Sequence, residues 1–422
     1  MKRIFRVLTD GRGWFLGAIA IPSVVTLLLG PLILSQAGLE RYGVFALALY
    51  FLGLVATYAD FSTHMHLLVT FSRRDPHRQI EFGNALALRA ILLAMATIIL
   101  GAIAWQRPRG DELYSLLAVF LIGIPISQTS VDWFFLARRE YRRLFWARAI
   151  SATVLVIQVV GWSFSKAGGL ILIPWFYVLS SLAGFAYLSS FPDPSLVRRA
   201  FSALRAASAS GVLSLVGKLL PMASTTLLSP YFLAYALPWF SMRNAAAAEV
   251  GAFSIAYRII MGMVGLVPAL LYYMIPTRAP GAESPSFRKT LLGTTLACGG
   301  FWVAGIPILW AYFFVSGIGM TLFPFALRMF SILMLGFAFL SFRTPYVGRC
   351  LAEGRYRIYF VVHLIACAPI LAVSLLGVEA VPFYWIPWLA CVPELVATVL
   401  FVWLLGRARP RQTGYIMRTA NG

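Results

Sequence analysis

MKRIFRVLTDGRGWFLGAIAIPSVVTLLLGPLILS, residues 1–35, begins with a basic head of Lys2, Arg3, Arg6 and Arg12 and continues into a long apolar run from Trp14 to Leu34. About twenty apolar residues in an α-helix cover the ~30 Å hydrocarbon core of a bilayer. A secretory signal has a similar head, but its apolar run is shorter and ends at a small-x-small cleavage site, which is not evident here. The stretch therefore reads as a first membrane span that is retained.

The rest of the chain repeats this pattern. Of 422 residues, 60% are hydrophobic and 12% charged, with a mean hydropathy of +0.82, which excludes a water-soluble fold. The expected class is all-α, a polytopic membrane protein with about twelve transmembrane helices. The spans fall near Trp14 to Leu34, Tyr42 to Val69, Gly83 to Trp105, Leu113 to Leu136, Ala149 to Phe164 and Gly169 to Tyr187. In the second half they fall near Gly211 to Leu233, Gly251 to Ile275, Leu291 to Phe314, Leu322 to Phe342, Ile358 to Leu375 and Tyr384 to Leu405. Four cysteines, Cys298, Cys350, Cys367 and Cys391, lie in or beside apolar stretches without metal-type spacing, so neither a disulfide framework, a metal site nor a cofactor is expected.

Lys and Arg are retained on the cytoplasmic side of short loops during insertion. On this map, connections expected inside carry 26 basic residues and those expected outside carry 5. The net charge of +20 therefore marks topology and not a nucleic-acid partner. Both chain ends are expected in the cytoplasm of a bacterial inner membrane. Residues 191–210, FPDPSLVRRAFSALRAASAS, form the longest interior connection, with the pattern of an amphipathic helix lying on the inner leaflet. They divide the chain into six-helix bundles at 1–190 and 211–405, with a cytoplasmic tail at 406–422.

The halves share a short motif. Gly43-Val-Phe45-Ala-Leu-Ala48 opens the second span and Gly251-Ala-Phe253-Ser-Ile-Ala256 opens the eighth, 208 residues later, and at the same offset Pro22 meets Pro230. Parallel repeats of this kind occur in transporters whose binding site lies between the halves. Prolines inside several spans (Pro22, Pro31, Pro221, Pro230, Pro268 and Pro369) suit bent helices around such a site.

Three stretches carry a family resemblance. RYGVFALALYFLGLVATYADF (residues 41–61) resembles the second helix of the Wzx-type polysaccharide flippases, part of the multidrug/oligosaccharidyl-lipid/polysaccharide exporter (MOP) superfamily. Asp60 matches the acid of the family's Asp-Phe-Gly-like ending, and Ser62 replaces the glycine. DWFFLARREYRRL (132–144) is similar to the fourth-helix end, with Leu136-Ala137 where Gln-Gly is common. EVGAFSIAYRII (249–260) is similar to the eighth-helix start, with Arg258 at a frequently basic position. The resemblance implies a flippase that moves a polyprenyl-diphosphate-linked oligosaccharide across the membrane for O-antigen or other surface polysaccharide synthesis, alongside membrane lipids, a polysaccharide polymerase and assembly proteins.

Charges within spans are costly, about 2.5–3.5 kcal/mol each at the centre on insertion scales, and so mark functional candidates. Arg89, Lys218, Arg258 and Arg328 are the candidate substrate-binding bases, able to offset a diphosphate. Arg89 has an alternative as an ion pair with Asp60, and Arg258 and Arg328 as snorkelling side chains. Asp60 and His64, four residues apart and hence on one helix face, together with Glu394, are candidates for ion coupling. Asp132 reads as solvated. Two other functions stay open: a cation-coupled multidrug exporter of the same superfamily, and a membrane glycosyltransferase or polymerase. Cationic drugs favour an acidic cavity, and an enzyme needs external loops larger than the four to about seventeen residues expected here.

Overall fold

A computed structural model describes residues 11–72, 78–105, 111–128, 132–165, 169–190, 202–227, 247–264, 287–317, 320–352, 355–376 and 382–406. These residues are helical apart from short turns. The N-terminal half contains α1 (Gly11–Ala37), α2 (Leu39–Asp60), α3 (Thr63–Ser72), α4 (Arg78–Trp105), α5 (Glu112–Gln128), α6 (Asp132–Ala137), α7 (Tyr141–Ser165) and α8 (Leu172–Ser189). The C-terminal half contains α9 (Ala209–Leu227), α10 (Ala247–Val264), α11 (Phe287–Val315), α12 (Phe323–Ala352), α13 (Tyr356–Leu376) and α14 (Ile386–Gly406). Among the described residues, eight helices are long and apolar enough to cross a membrane, and three shorter apolar helices accompany them. The far ends of the expected seventh and eighth spans, with Pro230 and Pro268, lie outside the described residues, as do most of the linker and the tail.

Three boundaries differ from the sequence reading. The second span is not continuous: α2 stops at Asp60, Phe61 and Ser62 take left-handed backbone (φ 44° and 60°), and α3 starts at Thr63. Asp60 makes the break. Its Oδ1 accepts the backbone N–H of His64 at 3.3 Å and lies 3.4 Å from the Thr63 hydroxyl, so the carboxylate caps the new helix as an N-cap acid does. Left-handed backbone costs a non-glycine residue about 1–2 kcal/mol. Ser62→Gly is therefore expected to stabilise the protein by about 1 kcal/mol, read as a higher unfolding temperature in detergent; a lower one would mean that the serine side chain matters more than its backbone.

The fifth span begins early, at Tyr141. Its first turns carry Arg142, Arg143 and Arg148; Arg143 pairs with Glu140 at 2.6 Å and Arg148 pairs with Asp132. The tenth span runs on to Ala352, ten residues past its expected end, and draws Arg343 from a supposed loop into the protein.

Within the N-terminal half, α7 packs along α1 and α8; in the C-terminal half, α12 packs along α10, α11 and α14. The halves meet chiefly where α2 lies against α10, the two helices that carry the repeated motif. Phe45, Ala48, Phe253 and Ala256, the repeat-related residues, are all fully buried. Close approach depends on missing side chains. A β-carbon at Gly251 would come within 2.6 Å of the Leu39 carbonyl oxygen, and one at Gly30 of α1 would overlap the Tyr312 hydroxyl of α11. Tyr50 donates to Ser254 Oγ at 3.1 Å across the same seam. At the end of the bundle where α4 and α9 start, Asn84 accepts the Ser208 N–H at 3.2 Å and Glu81 meets Lys218 at 3.3 Å.

Candidate functional site

Arg258 sits on α10, eleven residues in from its start, and projects into the seam between the halves. Its guanidinium carbon lies 5.0 Å from the centroid of the Tyr42 ring and 5.4 Å from that of Phe45, both on α2. Tyr312 of α11, Tyr177 of α8 and Tyr50 of α2 complete its electrostatic surroundings. The Tyr42 and Tyr312 hydroxyls are 3.0 Å apart and hydrogen-bonded to each other. Both Nη atoms of Arg258 are buried and have no hydrogen-bond partner among the described residues, and no carboxylate pairs with it there.

The magnitudes show what this arrangement lacks. Taking a cation out of water costs several kcal/mol even after relaxation, whereas a desolvated cation–π contact returns about 2 kcal/mol. Aromatic faces alone leave the charge under-compensated, and an anion presented to the planar fork would supply the missing hydrogen bonds. The site is cationic, lies between two bundles and is built from residues of both.

The four bases expected to line one path have four different surroundings. Arg89 is paired with Asp60 at 2.9 Å, the alternative already weighed for it. Lys218 is largely exposed, 61% of its side chain being accessible, and meets Glu81. Arg328 is exposed and stands 5.9 Å over the Tyr384 ring. Among these four, Arg258 alone has two buried nitrogens without a hydrogen-bond partner among the described residues.

The acids are also engaged. Asp60 holds Arg89 and caps α3, and the left-handed turn between Asp60 and His64 removes the shared helix face that α-helical spacing predicted for them. Glu394 is completely buried; its Oε1 accepts a hydrogen bond from Arg343 Nη2 at 3.0 Å, and its Oε2 lies 2.7 Å from Arg343 Nε as an ion-pair contact. Arg343 Nη1 lies 2.6 Å from His363 Nε2. Arginine can only donate, so Nε2 accepts and the ring hydrogen is on Nδ1, which faces the Tyr359 carbonyl at 2.9 Å. This ion pair and its histidine tie α12, α13 and α14 together.

Sequence reasoning missed Arg343, His363 and the tyrosines. For Arg343 the signal was available, because the apolar pattern resumes at Tyr346 and Val347, one turn beyond it. For the tyrosines it was not: Tyr42, Tyr50, Tyr177 and Tyr312 belong to three helices, and only folding brings them around one guanidinium.

No protein-family model and no curated protein matches the chain. Solved structures do. The multidrug transporter DinF-BH, a MATE protein solved in complex with R6G, superposes with a TM-score of 0.60 at 14% identity, over 95% of each chain. A point mutant of the MATE transporter VcmN from Vibrio cholerae gives 0.60 at 11%, over 97% of this chain and 99% of its own. A MOP-superfamily transporter from Pyrococcus furiosus, described as having a binding pocket of reverse polarity that suggests a different function, gives 0.53 at 12%, over 93% and 94%. At such identities the likeness shows that this chain has the all-helical fold of the MATE transporters of the MOP superfamily.

Proposed function

We propose that the chain is an alternating-access transporter of the bacterial inner membrane that carries an anionic amphiphile, a polyprenyl-diphosphate-linked oligosaccharide, from the cytoplasmic to the periplasmic leaflet for surface-polysaccharide assembly. The observation that carries this reading is Arg258 at the seam of the two halves, whose buried Nη atoms have no hydrogen-bond partner among the described residues. A diphosphate head is the kind of group that a preformed guanidinium fork accommodates bidentately. When the halves separate, the guanidinium exchanges its ring contacts for the substrate's oxygens, and the lipid tail stays in the bilayer. No covalent step is required. On this reading both chain ends are cytoplasmic, and a polysaccharide polymerase and assembly proteins receive the product.

A second reading, export of drugs, is favoured by the descriptions of the fold neighbours, several of which are multidrug transporters. The polarity of the seam speaks against a cationic drug there: Arg258 faces tyrosines and phenylalanine, and the Asp60 and Glu394 carboxylates are each engaged by an arginine. The Pyrococcus furiosus protein supplies a precedent within the fold for a pocket of reversed polarity.

A deletion strain separates the two readings. Loss of long-chain surface polysaccharide with unchanged drug susceptibility is expected; increased sensitivity to cationic drugs with normal polysaccharide would establish the second reading instead.

A further inference from the structure

The turn between α6 and α7 carries arginine at a position that suits glycine. Arg139 has left-handed backbone (φ 59°). Its N–H donates to the Leu136 carbonyl at 3.0 Å, and the Glu140 N–H donates to the Phe135 carbonyl at 2.9 Å. This pair of bonds is the Schellman ending of a helix, whose left-handed residue is usually glycine because a β-carbon crowds the backbone there. Glycine would close the same turn with less strain. The arginine therefore sits there at a cost to the fold, and it is exposed.

The turn is also short of acid. Residues 132–150 contain five arginines and two acids, Asp132 and Glu140, an excess of three positive charges. Asp132 pairs with Arg148, and Glu140 meets both Arg138 at 2.9 Å and Arg143 at 2.6 Å. Two carboxylates are thus shared among three of the arginines, and Arg139 and Arg142 stand beside them on the exposed side of the turn.

Aromatic and then aliphatic groups continue this patch along α7. The guanidinium carbon of Arg142 stands 5.9 Å from the centroid of the Trp14 ring of α1. Trp14 packs on Phe145 and Trp146, with ring centroids 4.8 and 6.4 Å apart, and Trp146 keeps 43% of its surface exposed. Arg142 and Trp146 are one turn apart and neighbours on the helix surface. Ile157 and Phe164, both exposed, follow Trp146 by eleven and eighteen residues, three and five turns farther along the same face. The other sides of α7 pack on α1 and α8 of its own half. In a bilayer the exposed face meets acyl chains, and tryptophan at its end sits at headgroup level, which sets the arginine turn at the depth of the lipid phosphates.

We propose that the α6–α7 turn binds the phosphate of one anionic phospholipid of the surrounding bilayer through Arg139 and Arg142, with Trp14 and Trp146 beside the start of an acyl chain. A guanidinium fork matches phosphate oxygens, and the excess positive charge of the turn selects a headgroup with net negative charge over a zwitterion. The site lies on the outer face of the N-terminal half and is independent of Arg258 and of the transported substrate.

The test is quenching of tryptophan fluorescence in phosphatidylcholine vesicles that contain a minor fraction of brominated phosphatidylglycerol or, in parallel, of brominated phosphatidylcholine. The anionic lipid is expected to quench more strongly, and the excess should disappear in the Trp14→Phe, Trp146→Phe double variant. Arg142→Gln should lower the preference roughly fivefold, the effect of one base near an anionic surface. Arg139→Gly should lower it by a similar factor while raising the unfolding temperature in detergent, because glycine relieves the left-handed backbone. Arg205→Gln, which neutralises an exposed base ahead of α9, should leave the preference unchanged. Equal quenching by the two lipids would overturn the proposal. So would an excess that survives loss of the two indoles, one that both Arg139→Gly and Arg142→Gln leave intact, or one that Arg205→Gln lowers equally, the sign of a diffuse surface field.

Discussion

Arg258→Ala is expected to abolish export of surface polysaccharide while the protein remains in the membrane at its normal level. The substitution removes a charge that no described carboxylate neutralises, so the resting structure loses only ring contacts of about 2 kcal/mol and is relieved of a buried, unsatisfied cation. The substrate complex loses much more. Hydrogen bonds to charged groups contribute about 1.5–3 kcal/mol each, so removing a two-pronged contact lowers affinity by roughly a hundredfold or more. Arg258→Lys keeps the charge and loses the planar fork; a deficit of about tenfold, intermediate between the two, is expected from the loss of bidentate geometry. Tyr42→Phe keeps the ring over the guanidinium and removes only the hydroxyl shared with Tyr312, and should have little effect. Quantifying surface polysaccharide and membrane protein in the same cells tests all three. Alanine and lysine variants with normal polysaccharide would remove Arg258 from the transport path.

The opposite pattern is expected at Glu394. Its carboxylate is the partner of Arg343 in the interior of the C-terminal half, and removing one member of a buried pair costs about 3–5 kcal/mol because the other charge is left uncompensated. Glu394→Ala should therefore reduce the amount of folded protein and sharply lower its unfolding temperature in detergent. Substituting both charges, Arg343→Met with Glu394→Leu, should recover more than half of the loss. The recovery falls short of complete because His363 Nε2 then lacks its donor, at a cost of about 1–3 kcal/mol. Thermal unfolding of the purified variants measures this. If Glu394→Ala were fully stable yet inactive, the residue would be part of ion coupling and not a structural clamp.

The architecture was legible because the bilayer imposes a simple rule on sequence. Long apolar runs, separated by short polar connections, record helix number and order. The repeat at Gly43 and Gly251 also pointed to a relation between α2 and α10, and the structure gives that relation a physical form: the two copies pack face to face, with Gly251 against the Leu39 carbonyl. What hydropathy does not encode is where an apolar helix breaks or which charges meet. Asp60, Phe61 and Ser62 contain no glycine or proline, so the left-handed turn that divides the second span had no local breaker to announce it. The apolar pattern that resumes at Tyr346 would have kept Arg343 within its helix, but its partners, Glu394 51 residues later and His363, could not be read from it. The site at Arg258 was partly legible. The base itself stands out inside a span, but its aromatic surroundings come from α2, α8 and α11 and exist only in the folded protein.

The most direct measurement is leaflet translocation by the purified protein in sealed vesicles, offered a polyprenyl-diphosphate oligosaccharide in one experiment and a cationic dye in the other. The account predicts that the anionic lipid changes leaflets, that the dye does not accumulate or exit, and that Arg258→Ala stops the first process. Dye transport that is indifferent to Arg258, with no movement of the lipid-linked sugar, would contradict it.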